Sequence, residues 1–197
     1  MDNERNIYED IPGRYYHSII MTSYSFNLPY FDRQLVRRLQ AKGIRSINLL
    51  VDQKQLNESA DFGIGIVENA GKDYSISGIP SKGAFHPKLN FFFGENHIAL
   101  TFGSGNLSMG GNGKNHEVFS GLMADTKDKS QLPLIREAWD YLKEYFGHVM
   151  GYSKTRIEND VPSNCSLMKE QVNYRKHTFQ YISDKCSMAF LYNEHDN

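Results

Sequence analysis

Cysteine is scarce in this 197-residue sequence: there are two, Cys165 and Cys186, and neither falls in a CxxC or Cys/His spacing. That excludes a disulfide-stapled scaffold and a cysteine-built zinc site, and makes free thiols in a reducing, cytoplasmic setting the expectation. Long apolar runs are missing too. No segment approaches the ~18 uninterrupted apolar residues that cross a bilayer, and Met1 to Asp10 is polar and acidic, unlike a targeting segment. Neither export nor a membrane partner is expected. Nor is there an excess of one charge. The formal net charge of -1 gives no whole-molecule field for polyanions, so nucleic-acid binding would have to come from local clustering. No repeat of solenoid period is visible.

Aromatic and basic residues are present where they matter. Tryptophan occurs once, but there are twelve Phe and twelve Tyr, and 40% hydrophobic content suffices for the core of one main domain. Basic residues cluster twice. Arg33, Arg37, Arg38, Lys42 and Arg45 occur with no acid between them, and the stretch from Ser81 to His116 holds three lysines and three histidines against Glu95 alone. A solvated amphipathic face is the plain reading of the first cluster; contact with phosphates is the functional one.

Periodicity supplies the architecture. Tyr15 to Tyr24 is β-branched and aromatic, as in a buried strand, and Asn27-Leu28-Pro29 ends it. Tyr30, Phe31, Leu35, Val36 and Leu39 recur at helical spacing up to Gly43, and Ser46 to Val51 reads as the next strand, with Asp52 at its carboxyl end. Strand, helix, strand is the parallel crossover unit of α/β domains. Gln53 to Gly71 has room for a short helix, and Tyr74 to Ile79 alternates like a strand. His86 to Phe93 and Ile98 to Phe102 form a hairpin around Gly94-Glu95-Asn96-His97, Val118 to Met123 adds another strand, and Leu132 to Val149 a helix. The Phe91-Phe92-Phe93 run suits core packing rather than base stacking. The fold class is α/β, a mixed sheet flanked by helices. Residues 1-150 form the expected main domain, and 151-197 a carboxy-terminal extension or truncated second unit.

One constellation carries chemistry. His86 and Lys88 open one strand of the hairpin, and Ser104 and Asn106 close the other, so the four side chains converge at one end of two paired strands. Asn115-His116-Glu117 follows, and a sheet can bring Glu117 beside the histidine. An imidazole is a nucleophile toward phosphorus; a lysine and an amide neutralise and orient phosphate oxygens; a hydroxyl adds a hydrogen bond. Gly103 and Gly105 let backbone approach a phosphate, with Asn115 beside them as a further candidate contact. For His86 the plain alternative is a strand histidine satisfied by a carbonyl. His97 and His116 read as solvated and His17 as structural.

His86-Pro87-Lys88, then Gly103-Ser104-Gly105-Asn106, then Glu117 resembles the phospholipase D superfamily, whose signature is HxK, four residues, Asp, then GSxN. The spacing from Asn106 to Glu117 is similar to that of its single-motif bacterial nucleases. Tyr24 to Asp52 resembles the opening of the fold in restriction and defence nucleases. Either half of the signature alone is weak; the ordered pair followed by Glu117 is specific. Two departures stand out. The signature's aspartate falls on Phe93, and the stretch between Lys88 and Gly103 is longer than the compact form, as an enlarged hairpin turn would make it.

The resemblance implies a nuclease working without metal or other cofactor. His86 would be the nucleophile, Lys88 and Asn106 would hold nonbridging oxygens, and Ser104 and Glu117 would set the imidazole. The family chemistry needs a second histidine as acid and base, and no second HxK occurs here. A symmetric homodimer would supply it, or the second half of a longer two-motif enzyme. A lipid phosphodiesterase and an inactive binding or regulatory module of the same fold are the rivals. A lipid enzyme should show a membrane-docking apolar element, and none stands out.

Overall fold

The computed structural model describes residues 14–63, 67–111, 116–183 and 186–192. Strand β1 (Ser18–Ser23) leads into helix α1 (28–41) and then β2 (Ser46–Asp52). Asn27 starts α1, its side-chain oxygen accepting from Tyr30 N at 2.8 Å, with Pro29 in the first turn where its missing N–H costs nothing. Phe31–Leu35 is wound as a π-turn, and Gly43 (φ +95°) stops the helix in the left-handed conformation that glycine adopts freely. Helix α2 (Gln53–Gly63) and β3 (Tyr74–Ile79) follow, then the hairpin β4 (Leu89–Phe93) and β5 (His97–Gly103), β6 (Phe119–Asp125) and α3 (Leu132–Lys143). The rest holds helix α4 (151–163), the short α5 (Ser166–Lys169) and a small hairpin, β7 (Gln180–Ser183) with β8 (Cys186–Met188).

The six-stranded sheet runs β3-β2-β1-β4-β5-β6. β1, β2 and β3 are parallel, whereas β4, β5 and β6 join antiparallel. This mixed sheet and its crossover helix agree with the sequence expectation. Both faces are covered, which is why the central strands are apolar throughout instead of alternating with polar residues. Ile19, Met21 and Phe92 pack with α1 on one face; Ile20, Phe91 and Phe93 pack with α3 on the other. Trp139 centres the second core, its ring edge-on to Phe91 at 5.5 Å, Phe93 at 5.4 Å and Phe146 at 5.3 Å.

Three local expectations are corrected. The first strand begins at Ser18 rather than Tyr15. The α-helix ends at Lys143, with a separate 3-10 turn at Phe146–His148. The β4–β5 turn is not enlarged: Phe93 pairs with Ile98 and Gly94 N donates to His97 O at 2.8 Å, leaving Glu95 and Asn96 at the tip.

The segment after residue 150 shares the second core. Ile157, Val161, Cys165, Leu167 and Met168 are buried in the cluster that contains Trp139. Ser166 N donates to Glu95 O at 2.8 Å, tying α5 to the β4–β5 turn. Both cysteines are free thiols, Cys165 buried and Cys186 exposed.

Candidate active site

One end of the sheet collects the ends of β1 and β5 and the starts of β4 and β6. Leu89 pairs with Phe102 and Gly103 with Phe119, so Lys88, Ser104 and Val118 lie just beyond the last pairs of the ladder. β1 locks this end. The Thr22 hydroxyl donates to Pro87 O at 2.9 Å and accepts from Leu89 N at 2.8 Å, fixing the backbone on both sides of Lys88. The Ser23 hydroxyl accepts from Leu107 N at 3.0 Å and donates to Ser25 O at 2.6 Å. These contacts hold the His86 and Asn106 loops on one strand end.

His86 is exposed and is positioned from its neighbours. Phe85, 1% exposed, buries its ring against Tyr145, centroids 4.9 Å apart, and donates its N–H to Asp52 Oδ2 at 2.9 Å. Asp52 Oδ1 meanwhile caps α2, accepting from Lys54 N at 3.0 Å and Gln55 N at 3.2 Å. One buried carboxylate thus ties α2 to the residue preceding the histidine. The Tyr24 ring packs on the His86 imidazole with centroids 4.6 Å apart and planes 32° from parallel. Lys88 Nζ lies 2.8 Å from His86 Nδ1 and donates to His86 O at 3.1 Å.

On the facing loop, Asn106 Oδ1 accepts from Ser25 N at 3.3 Å and lies 3.4 Å from Ser23 Oγ. The amide oxygen is therefore occupied by the protein, and its NH₂ remains to donate. The Ser104 hydroxyl donates to Glu117 Oε2 in a short bond and accepts from Val118 N at 3.1 Å. Burial pushes the Lys88 ammonium below the usual lysine range, and the charge of Glu117 opposes that shift. The two motifs therefore share one electrostatic environment.

Gly103 and Gly105 have a packing reason for lacking a side chain. A Cβ on Gly103 would meet Val118 O at 2.2 Å, and one on Gly105 would meet Phe119 Cζ at 2.4 Å. Asn115 lies outside the described residues. His116 is exposed next to Glu117. His97 belongs to the opposite end of the sheet, its ring tilted against Tyr15 with centroids 4.8 Å apart, because its partner is Asp125 at the far end of β6. His17 is also distant, its Nδ1 2.7 Å from Ser18 Oγ. Sequence reasoning noted Asp52 without a role and missed Thr22, Ser23 and Tyr24; a cluster of polar and aromatic residues closing an apolar strand was the available signal. Among the described residues no group of three or more His, Cys, Asp or Glu could hold a metal ion, and no helix is long and apolar enough to cross a membrane.

No protein-family model and no curated protein matches the chain. Solved structures do match. A phospholipase D family member, Nuc from Salmonella typhimurium, superposes with a TM-score of 0.52 at 16% identity over 74% of this chain and 88% of its own. A mutant of yeast tyrosyl-DNA phosphodiesterase gives 0.53 at 16% identity, covering 82% of this chain and 36% of the yeast one. The fold is that of the phospholipase D superfamily. Within the phospholipase D fold, the Phe93 position faces the Trp139 core and is fully buried, so an aspartate there would be desolvated among aromatic rings. An aromatic residue satisfies this chain's core at that place.

Proposed function

We propose that this chain is a phosphodiesterase that cleaves nucleic-acid phosphodiester bonds without a metal, with His86 as nucleophile. The observation that carries the reading is the convergence of His86, Lys88, Ser104, Asn106 and Glu117 at one end of a phospholipase D-type sheet. The names of the two structural neighbours, a phospholipase D family member and a tyrosyl-DNA phosphodiesterase, agree with phosphodiester chemistry.

In the described state Lys88 sits at Nδ1 of the imidazole. Its Nζ is also 3.5 Å from Nε2, so it lies against both ring nitrogens and does not by itself fix the tautomer. An arriving phosphate draws the ammonium to a nonbridging oxygen, with the Asn106 NH₂ donating to the same group, and the reactive imidazole carries its proton on Nδ1. Nε2 is left with its lone pair. Nε2 attacks phosphorus, a P–N bond forms, the P–O ester bond breaks, and the departing oxygen takes a proton from an acid. Water then attacks phosphorus, the P–N bond breaks, and a base removes the water proton. Ser104 and Glu117 set the geometry, Gly103 and Gly105 allow the tight packing beneath it, and Asn115 remains a candidate phosphate contact. In this proposal the acid and base is the His86 of a second copy across a two-fold axis. Mixing a His86→Ala chain with wild type should reduce activity more than in proportion to the wild-type fraction, and sedimentation should show a dimer.

Nucleic acid is favoured over lipid by a specific surface. Asn27 N donates to Leu107 O at 3.0 Å, so α1 starts beside Asn106, and its exposed face carries Arg33, Arg37 and Arg38. None of the three takes part in an ion pair among the described residues. The only acid in that part of the helix, Asp32, is buried and bonded to Asn69 and Tyr74. Changing all three arginines to Gln should cut plasmid cleavage by about 10- to 100-fold near physiological salt. It should also lower the salt slope of binding by about 2 to 3, since each duplex phosphate contact contributes about 0.9. Hydrolysis of bis(p-nitrophenyl) phosphate should be unchanged. Equal losses on both substrates would contradict an electrostatic track for the backbone.

The basic limb of the pH–rate profile checks the role of Lys88. A lysine whose pKa is lowered by burial loses its proton, and its hold on phosphate, at a lower pH than an exposed lysine. Glu117→Gln removes the opposing charge, so the limb should move to still lower pH. A shift to higher pH would contradict the assignment. The overall reading is tested by incubating the protein in EDTA with plasmid, single-stranded DNA and phospholipid vesicles. DNA cleavage is the expected result; lipid turnover alone would favour the lipid enzyme, and no turnover by a confirmed dimer would favour an inactive module.

A further inference from the structure

We infer that Tyr24 is the positioning residue of the His86 imidazole, covering one face of the ring so that Nε2 is presented edge-on to phosphorus; this rests on the reading of His86 as nucleophile. Both flanks of His86 are tied down, Phe85 N by Asp52 and Pro87 O by Thr22. The side chain itself is exposed beyond the last pairs of the sheet. Two described contacts act on the ring. One is Lys88, its Nζ 2.8 Å from Nδ1 and 3.5 Å from Nε2, which the proposed reaction requires to leave for the phosphate. The other is the face of Tyr24, at 4.6 Å and 32°. Once Lys88 is engaged, the Tyr24 face is the described ring contact that stays with the imidazole.

The placement of Tyr24 is fixed by the same strand that locks the motif. It lies two residues beyond Thr22 and directly after Ser23, whose hydroxyls bind the β4 and Leu107 backbones. It is half-buried. The ring therefore reaches the imidazole from a rigid strand end, the arrangement that holds reacting groups within the ~10–20° that in-line chemistry tolerates. Attack by Nε2 of an Nδ1-protonated ring generates a phosphoryl-imidazolium, and the electron-rich face of Tyr24 lies against that developing positive charge. The contact uses the ring and not the hydroxyl.

Tyr24→Phe, Tyr24→Leu and Tyr24→Ala separate these roles. The phenylalanine variant should retain kcat within about 3-fold of wild type. The leucine variant, which keeps apolar volume without a ring, and the alanine variant should lose about 10- to 100-fold in kcat with KM changed less than about 3-fold, the range expected when a reacting group is misaligned. Proton NMR gives a readout independent of turnover. The His86 ring protons, assigned by their absence in His86→Ala, should be shifted upfield by the Tyr24 ring in wild type and Tyr24→Phe, and should return toward free-histidine values in Tyr24→Leu. Loss of kcat in Tyr24→Phe equal to that in Tyr24→Leu would overturn the proposal by pointing to the hydroxyl. An unchanged His86 shift in Tyr24→Leu would overturn it even if the wild type cleaves no nucleic acid, so failure of the packing and failure of the nuclease reading are told apart.

Discussion

Replacing His86 with alanine is expected to lower plasmid cleavage by about 10⁴-fold or more while leaving the thermal transition almost unmoved. Removing a nucleophile forfeits the covalent route altogether, and such losses commonly reach this size because the remaining groups then act on an uncatalysed attack by water. His86 is exposed, so truncating it opens no cavity and leaves no buried group unpaired. Lys88 keeps its bond to the backbone oxygen of residue 86. A variant that loses activity and keeps its melting temperature identifies chemistry rather than folding. Lys88→Ala and Asn106→Ala should fall by smaller factors, since each removes one donor to phosphate oxygen. The cleanest assay is the initial rate on supercoiled plasmid in EDTA, beside a melting curve of the same preparation.

Ending the chain at residue 150 is expected to abolish folding. Ile157, Val161, Leu167 and Met168 are buried in the core built around Trp139. At about 1.5–3 kcal/mol for each side chain removed from water, they contribute on the order of 6–12 kcal/mol as an upper figure, comparable with the ~5–15 kcal/mol net stability of a domain. Polar anchors would be lost as well. Arg136 Nη1 donates to Met168 O at 2.6 Å, and the Tyr174 hydroxyl donates to Asp140 on the same helix. Glu137, fully buried, accepts from His177 N at 2.6 Å and would be left as an unpaired carboxyl. Residues 1–150 should therefore be recovered as aggregate or show no cooperative melt. A cooperative transition within a few degrees of the full chain would show that the later segment is dispensable.

What the sequence made visible, and what it hid, follows from the range of the interactions concerned. The strands were readable because Ile19-Ile20-Met21 and Phe91-Phe92-Phe93 are apolar on both faces, and the structure divides each run between the two cores. The motif was readable because its four residues sit at the two ends of one hairpin, where sequence distance fixes spatial distance. The packing of 151–169 was harder to see. Ile157, Val161 and Cys165 recur every four residues, but the stripe is only one residue wide and is diluted by Asn, Asp, Glu and Ser. The hairpin turn was misjudged because total length does not say whether additional residues enter the strands or the loop. Thr22, Ser23 and Tyr24 act on residues more than sixty positions away, and no local pattern reports such contacts. At Phe93 the departure from the signature was plain in the sequence, but its reason, a fully buried place against the rings of Phe91 and Trp139, became clear only with the fold.

The central claim is that phosphodiester cleavage passes through a phosphoryl group on His86. Rapid quenching of the wild-type protein with end-labelled DNA, followed by proteolysis and mass spectrometry, tests it most directly. The account predicts a DNA-linked peptide containing residue 86, stable in alkali and labile in acid as a phosphohistidine is, and absent from His86→Ala. Cleavage that proceeds at full rate with no adduct, or an adduct that forms on another residue and survives His86→Ala, would contradict it.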